Sequence, residues 1–255
     1  MRPYLLAESS WKDVKEEKTE VVVLPWGATE AHNYHLPYAT DNYQIEAIAA
    51  EAGKQAWKAG AKVKVLPNIP FGVNTGQADI QLDINLYPST QLAILSDIIE
   101  VLNRQGIYKL IVLNGHGGNN FKPLLRELGL KYPKMLLVMT NFFQTVDKNA
   151  FFEEKGDHAD EMETSLMMHL HPDLVLPLGQ AGSGRENKSR IAGIREGWAW
   201  AERQWSMVSE DTGIGNPYKA TPEKGEKFFK AVSQKVGELI KDVAEVEIDN
   251  RYESK

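Results

Sequence analysis

The chain has 255 residues, of which 42% are hydrophobic and 25% charged, and its formal net charge is -6. This balance is typical of a globular protein, and the negative charge disfavours a nucleic-acid partner, which would favour a basic surface. No apolar run approaches the ~20 residues needed to cross a bilayer, and the first residues lack an apolar core of signal-peptide length. Cysteine is absent, which excludes disulfides and a thiolate nucleophile. We expect a cytoplasmic protein with a single domain over 1–255.

Short apolar runs alternate with segments of helical periodicity along the first part of the chain. The runs are β-branched and predict buried strands, the first of them ending at Pro25. Every interval between strands has room for a helix, which predicts right-handed crossovers and a mainly parallel sheet covered on both faces. The predicted strands are 21–24, 63–66, 110–113 and 135–139, and the predicted helices run from about 42 to 60, 88 to 106 and 120 to 131.

Beyond residue 147 the alternation is less regular. We predict one helix beginning near Asp160 and a final helix with Thr221 as its N-cap and Pro222 at its first position. Residues 179–197 are rich in glycine and charge, which indicates a surface loop or an oligomer contact. We interpret the tryptophans that follow as packing or subunit contacts rather than as a substrate cage; they are Trp198, Trp200 and Trp205.

Histidines and acids follow the predicted strands in separate segments of the chain. Because ligands bind outside the carboxyl ends of parallel strands, we expect these segments to meet at one edge of the sheet. Imidazole nitrogen and carboxylate oxygen are typical ligands of catalytic zinc and its neighbours. Two acids and two imidazoles, with one further acid, would complete a binuclear site; the four are Glu30, His32, Asp41 and His116.

A hydrolase of amides also needs a proton for the leaving nitrogen, and His158 is the candidate shuttle. Simpler interpretations exist for several of these residues. Asp41 precedes a helix and could be its N-cap, and Glu163 could be an ordinary helix glutamate. His35 is more often a structural or supporting histidine than a ligand. The pair Gly117-Gly118 before a helix could cradle a phosphate, although no lysine follows it.

The motifs resemble those of the creatininase (creatinine amidohydrolase) family over about residues 20–240. This resemblance implies a three-layer α/β/α sandwich with a mainly parallel central sheet and a centre of two divalent ions, Zn and/or Mn, with Fe as an alternative. It also implies hydrolysis of a C–N amide-type bond by a metal-bound hydroxide, and a homo-oligomer, commonly a hexamer. The motifs are Glu30-Ala31-His32 with His35-Leu36-Pro37 and Asp41, Asn114-Gly115-His116-Gly117-Gly118-Asn119, His158-Ala159 with Glu163-Thr164-Ser165, and the region from Thr212-Gly213 to Thr221-Pro222.

The resemblance also implies individual roles. Glu30 and His116 should bind one ion and His32 the other, with Asp41 bridging both. Creatininase has an acidic ligand where this chain has Gly118, and we predict that an acid elsewhere replaces it. The predicted metal ligands are therefore Glu30, His32, Asp41, His116 and Glu163, and the predicted catalytic residues are His158, at the family's proton-transfer position, and Glu163.

Two departures from the family pattern bear on the substrate. Glu154 stands where creatininase has a tryptophan four residues before its substrate histidine, and Asp160 stands where the family usually has glycine. We therefore expect a small amide, lactam or formamide, with creatinine, a formylated pyrimidine or flavin-type precursor, or a short peptide as options. The alternative function is a non-catalytic metal-binding or ligand-sensing oligomer, which Gly118 favours because one ligand is lost there.

Overall fold

A parallel sheet forms the centre of the molecule in the computed structural model, which describes residues 2–253. Its strands are hydrogen-bonded in the order β2-β1-β3-β4 and all pair in parallel, which confirms the predicted sheet. The strands are β1 (Val21–Trp26), β2 (Val63–Val65), β3 (Lys109–Asn114) and β4 (Leu136–Asn141).

Helices connect these strands, and a small second sheet follows them. The helices are α1 (Trp11–Lys15), α2 (Thr40–Lys58), α3 (Pro88–Arg104), α4 (Phe121–Lys131), α5 (Glu161–Leu170), α6 (Ala192–Arg195), α7 (Trp205–Val208) and α8 (Pro222–Glu245). The second sheet is an antiparallel pair of β5 (Gly156–His158) and β6 (Ile214–Gly215), which the sequence did not indicate. Within residues 2–253, no helix combines the length and the apolarity needed to span a bilayer.

The alternation of side chains along β1 divides the core into two layers. Val21 and Val23 pack with residues of α2, α5 and α8, whereas Val22 and Leu24 pack with residues of α3 and α4 on the opposite face. Successive side chains of a strand point to opposite faces, so a strand covered on both sides must be apolar throughout. This arrangement is the three-layer α/β/α sandwich, as expected.

Pro25 does not end the first strand, contrary to the sequence-based prediction. β1 continues to Trp26, and Pro25 pairs with Leu113 of β3. The Pro25 carbonyl accepts a hydrogen bond from Ile69 N at 3.1 Å, on the side of β2 but beyond its last residue, Val65. The proline nitrogen faces that same side, where the β2 ladder has already ended, so the ring removes no ladder bond.

Two helices, α5 and α8, begin with polar N-caps. Asp160 is the N-cap of α5 and accepts hydrogen bonds from Met162 N and Glu163 N at 2.9 and 3.0 Å. Its carboxylate therefore serves the helix end, where negative charge is favourable. Thr221 caps α8 as predicted. The N-cap interpretation of Asp41 is wrong: the N-cap of α2 is Ala39, and Asp41 lies within the first turn.

Candidate metal centre

The carboxyl ends of β1 and β3 bring the separate histidine and acid segments together. Glu30 follows β1, His116 follows β3, and Asp41 projects from the first turn of α2. The third segment, which contains His158 and Glu163, reaches the same edge because β5 and the start of α5 pack against it. The whole set is buried. The structure thus brings these segments together at one edge of the sheet, as expected.

Asp41 lies between two imidazoles. Its Oδ1 is 3.1 Å from His32 Nε2, and its Oδ2 is 3.1 Å from His116 Nδ1. Asp41 Oδ2 is fully buried and has no hydrogen-bond partner of suitable geometry, although His116 is so close. A buried carboxylate oxygen without a hydrogen bond is costly unless a cation neutralises it.

Glu30 and Glu163 complete the cluster on its two sides. Glu30 Oε1 is 2.8 Å from His116 Nδ1, while Glu163 Oε2 is 3.8 Å from His32 Nε2. Glu163 Oε2 also accepts a hydrogen bond from Ala159 N, which fixes the carboxylate at the start of α5. Each side of the cluster thus has a histidine and an acid of its own, with Asp41 shared.

Backbone carbonyls set the tautomers of the two histidines. His32 Nδ1 is 3.0 Å from Glu30 O, and His116 Nε2 is 3.0 Å from Val73 O. A carbonyl oxygen can only accept, so each of these nitrogens must carry hydrogen. The opposite nitrogens, His32 Nε2 and His116 Nδ1, face the carboxylates and are the ones whose lone pairs become available to a cation once the imidazoles are neutral. This is the orientation of metal-binding histidines that donate their other N–H to a protein acceptor.

The pKa values reflect the excess of negative charge. Burial alone would lower the pKa of His32, but the carboxylates, Asp41 foremost, raise it to about 10. His116 likewise has its pKa raised well above the usual value, because Glu30 and Asp41 outweigh its burial. Burial opposes ionisation of Asp41, yet the two imidazoles hold the pKa of its carboxyl well below the ordinary range. A cation bound here would displace protons from the imidazoles.

The pKa values of Glu163 and His158 shift in the opposite sense to those of Asp41 and the other two histidines. Burial raises the pKa of Glu163 to about 8, and the nearby Asp41 charge adds to this despite the opposing effect of His32. Burial, together with the His32 charge, lowers the pKa of His158. A carboxyl with a raised pKa beside an imidazole with a lowered pKa is suited to exchanging protons.

The donor set fits divalent cations. Glu30, Asp41 and His116 offer ligand atoms that all lie within 4.8 Å of one another, and so do His32, Asp41 and Glu163. A third group at the same spacing contains Glu30, His32 and His158. Mixed nitrogen and oxygen donors of this kind suit Zn, Mn or Fe. The orphaned Asp41 oxygen and the carbonyl-bonded histidines agree with such ions.

Comparison with known proteins gives a consistent result. Residues 7–240 match the family model described as creatininase, creatinine amidohydrolase. The chain is 27% identical to the creatinine amidohydrolase of Pseudomonas putida, covering 67% of this chain and 73% of the relative. A solved structure of a candidate creatinine amidohydrolase from Bacteroides fragilis is 43% identical and superposes with a TM-score of 0.92, covering 99% of this chain and 100% of that one.

The chain belongs to the creatininase family. It is therefore a hydrolase of the amidohydrolase class, and it contains a cluster of metal-ligating side chains. The chain is also similar to relatives that are named for other substrates. The mycofactocin precursor peptide peptidase of Mycobacterium tuberculosis is 25% identical, covering 88% of this chain and 84% of the relative.

Gly118, where the creatininase resemblance places an acid, has no room for a side chain. A Cβ atom on Gly118 would lie 2.3 Å from Val73 O and 2.4 Å from His116 Nε2. These are the two atoms whose contact sets the His116 tautomer, so the glycine is required by that contact. Gly118 thus leaves room for the contact between His116 and Val73. The phosphate-cradle interpretation finds no support in this arrangement.

Supporting residues around the cluster went unrecognised in the sequence. Gln77 Nε2 donates to Glu30 Oε2, and Gln77 is itself buried. Asn119 Oδ1 accepts from Val73 N at 3.0 Å and thereby holds the carbonyl that His116 uses. Both are amides in turn-rich segments, and only a three-dimensional arrangement reveals their partners. His35 Nε2 is 2.9 Å from Thr164 Oγ1, in keeping with its predicted structural role.

His158 lies beside the cluster at the wall of a large cavity. Its Nε2 is 2.8 Å from Ala31 O and must donate, so Nδ1 faces the cluster, 3.8 Å from Glu30 Oε1. The His158 and His32 rings lie 4.1 Å apart between centroids. The cavity has a volume of about 1560 Å³, and Glu30, His158 and Glu163 contribute to its lining.

Proposed function

We propose that this creatininase-family hydrolase acts on amide-type C–N bonds with two divalent ions, Zn and/or Mn. Glu30 and His116 would hold the first ion and His32 and Glu163 the second, with Asp41 shared by both. The observation that carries this proposal is the position of Asp41, whose two oxygens each lie 3.1 Å from a different imidazole nitrogen. Glu163 takes the place of the acid that Gly118 cannot supply.

When bound, such ions lower the pKa of a coordinated water and polarise the substrate carbonyl. The residues around them manage the protons. His158 keeps its Nε2 hydrogen on Ala31 O and presents Nδ1 to the cluster side, where it can accept a proton and pass it to the leaving nitrogen. Glu163 lines the same cavity, and we propose it as the second catalytic residue beside His158.

The size of the cavity supports the proposed range of substrates. Its volume of about 1560 Å³ exceeds the ~300–1,000 Å³ typical of small-molecule pockets. This room accommodates a cyclic amide, a formamide or another small amide and extends to a short peptide, the substrate class of the mycobacterial relative. Glu154, at the position of the family tryptophan, pairs with Lys219 at 2.9 Å.

We further propose that the chain acts as one domain over 1–255, in a homo-oligomer, with a hexamer favoured, in the cytoplasm. Several large apolar side chains near the cavity mouth are exposed, as expected for a subunit contact. They include Ile191, Trp198 and Trp200, with exposed fractions of 63%, 76% and 81%. Light scattering during size-exclusion chromatography measures the subunit number.

The decisive experiment compares hydrolysis of an amide panel by wild type, His116→Ala and His158→Gln after loading with Zn or Mn. The panel contains creatinine, lactams, formamides and short peptides. We expect turnover by wild type, loss of turnover and of metal in His116→Ala, and metal retention with a ~10²–10⁴-fold lower kcat in His158→Gln. Bound metal without turnover of any substrate by wild type would instead support the alternative, a non-catalytic metal-binding or ligand-sensing oligomer.

A further inference from the structure

The segment 202–206, here called the wall segment, is attached to the loop 75–79 beside the metal centre. Glu202 Oε2 accepts a hydrogen bond from Thr75 Oγ1 at 2.7 Å, and Ser206 Oγ donates to Asp79 Oδ2. Between these bonds the backbones approach so closely that a Cβ on Gly76 would lie 2.2 Å from Arg203 O. The loop that presents Gln77 to Glu30 therefore also fixes the wall segment.

This attachment places Trp205 directly against His158. The two rings lie 4.9 Å apart between centroids at an interplanar angle of 67°. Trp205 is only 9% exposed, unlike Trp198 and Trp200, yet it contributes to the lining of the cavity. Its packing role was expected, but its partner is the proposed proton shuttle.

Arg203 reinforces this arrangement. Its guanidinium lies 5.7 Å from the centre of the Trp205 ring, and it forms an ion pair with Asp157, the neighbour of His158. The wall segment is thus bonded both to the loop 75–79 and to β5. The orientation of the indole is consequently fixed on both sides before any substrate enters.

The tryptophan that the family resemblance places four residues before the substrate histidine has no counterpart here. Glu154 occupies that position, pairs with Lys219 and does not contribute to the lining of the large cavity. Trp205, from a different part of the chain, provides the aromatic ring beside the histidine instead. The aromatic surface therefore meets the substrate from another direction.

We infer that Trp205 is a specificity-determining residue, selecting substrates whose scissile amide belongs to a flat ring. This inference rests on the proposed hydrolysis of amides at the metal centre. Flat conjugated groups pack well on an indole, with ring centroids about 4.5–7 Å apart. A branched carbon next to the amide would hold the rest of the substrate away from this wall. The indole thereby positions a planar amide next to the His158 imidazole.

The kinetic test uses Trp205→Phe, Trp205→Ala and, as the matched control, Trp11→Ala, whose indole is exposed and does not line this cavity. The substrates are creatinine and hydantoin as flat cyclic amides, and open-chain amides branched next to the carbonyl. We expect Trp205→Ala to raise KM for the cyclic amides at least tenfold with kcat changed less than threefold, and to lower the preference for them. Trp205→Phe, which keeps a flat ring, should fall between Trp205→Ala and wild type, and Trp11→Ala should stay within threefold of wild type.

A second variant and a spectroscopic measurement separate packing from folding. Ser206→Ala removes the bond that ties the wall segment to Asp79 without altering the indole, so it should raise KM in the same direction. In protein labelled with ¹³C-histidine, the His158 signal, assigned with His158→Gln, should shift in Trp205→Ala and Ser206→Ala but not in Trp11→Ala.

Unchanged KM values and an unmoved His158 signal in Trp205→Ala, with wild type active, would overturn this inference and leave the proposed function intact. A shifted signal with unchanged KM and preference would also overturn it, because the indole would then be structural only. A wild type inactive on every amide would overturn the proposed function and the inference together.

Discussion

The Glu163 carboxylate lies 3.8 Å from His32 Nε2, although one residue belongs to α5 and the other to the loop after β1. The resemblance to creatininase implies an acidic ligand of the second ion two residues after the histidine of the glycine-rich motif, and here that position is Gly118. With Glu163 as the proposed replacement, the set of ligands stays complete although one ligand position in the sequence has changed. A single-residue loss is therefore weak support for a loss of function.

Replacement of Gly118 by alanine should damage the metal site, whereas Gly117→Ala should not. A Cβ on Gly118 would lie 2.4 Å from His116 Nε2, but a Cβ on Gly117 meets nothing within 4 Å. We expect Gly118→Ala to cost about 10–100-fold in metal affinity, as is usual when the partner of a metal-binding histidine is lost. Competition with a chelating dye measures both variants. Equal affinities for the two would refute this account of the glycine.

Gln77→Ala should weaken metal binding through Glu30. The amide nitrogen of Gln77 donates to Glu30 Oε2, whereas its Oε1 is buried without a hydrogen-bond partner. The side chain therefore contributes to the site through its contact with Glu30. We expect a loss of about 10–100-fold in metal affinity, measured by isothermal titration of the metal-free protein with Zn²⁺. Gln81→Ala, on the exposed side of the same loop, is the control. If both variants bind like wild type, Gln77 does not position Glu30.

The buried Glu161 should make Lys224 important for stability. Lys224 Nζ is bonded to Glu161, which is fully buried and also accepts from the backbone of Glu153 and Glu154. Lys224→Met leaves this carboxylate without its countercharge, so we expect the free energy of unfolding to fall by about 2–4 kcal/mol. Urea unfolding measures the change.

The control for that variant is Lys230→Met on the same helix, α8. Lys230 forms an exposed pair with Glu226 one turn away, and such pairs contribute about 0.5 kcal/mol or less. A Lys224→Met effect no larger than that of Lys230→Met would show that the buried pair is not stabilising in the way described.

His35 should make stability fall in mild acid. Burial, with the nearby His32 charge, lowers its pKa to about 4, below the 6.5 of the unfolded chain. Between pH 6.5 and 4 the unfolded state therefore binds more protons, and the free energy of unfolding decreases as the pH falls. We expect the metal-free wild type to lose on the order of 1–3 kcal/mol more than His35→Gln across this window, by urea unfolding. Parallel pH profiles for the two proteins would contradict the assignment.

The sheet could be predicted from sequence because β-branched runs and helical periodicity are local signals. Val21 to Leu24 and the helix that Pro88 begins were found in this way. The continuation of β1 through Pro25 could not be predicted, because it depends on where β2 ends. The short pair of β5 and β6 was missed for a similar reason, since its strands are too short for periodicity to appear.

The site was partly predictable for a different reason. Glu30, His32 and His116 are potential metal ligands placed directly after predicted strands. The topology of a parallel sheet is therefore enough to predict that they lie at one edge. The N-cap interpretation of Asp41 failed because the N-cap and the first turn of a helix are only one or two residues apart in sequence. A side chain in the first turn nevertheless points in a different direction from one at the N-cap. Gln77 was missed because an amide in a turn-rich loop has no distinctive pattern.

Anomalous diffraction at the zinc edge, from crystals of the metal-loaded protein, tests the two-ion assignment most directly. We predict two peaks about 3.5–4 Å apart, the first contacted by Glu30 and His116, the second by His32 and Glu163, with Asp41 between them. The same crystals of Glu163→Gln should show the second peak reduced or lost while the first remains. A single peak in wild type, or two peaks with Glu163 contacting neither, would contradict the account.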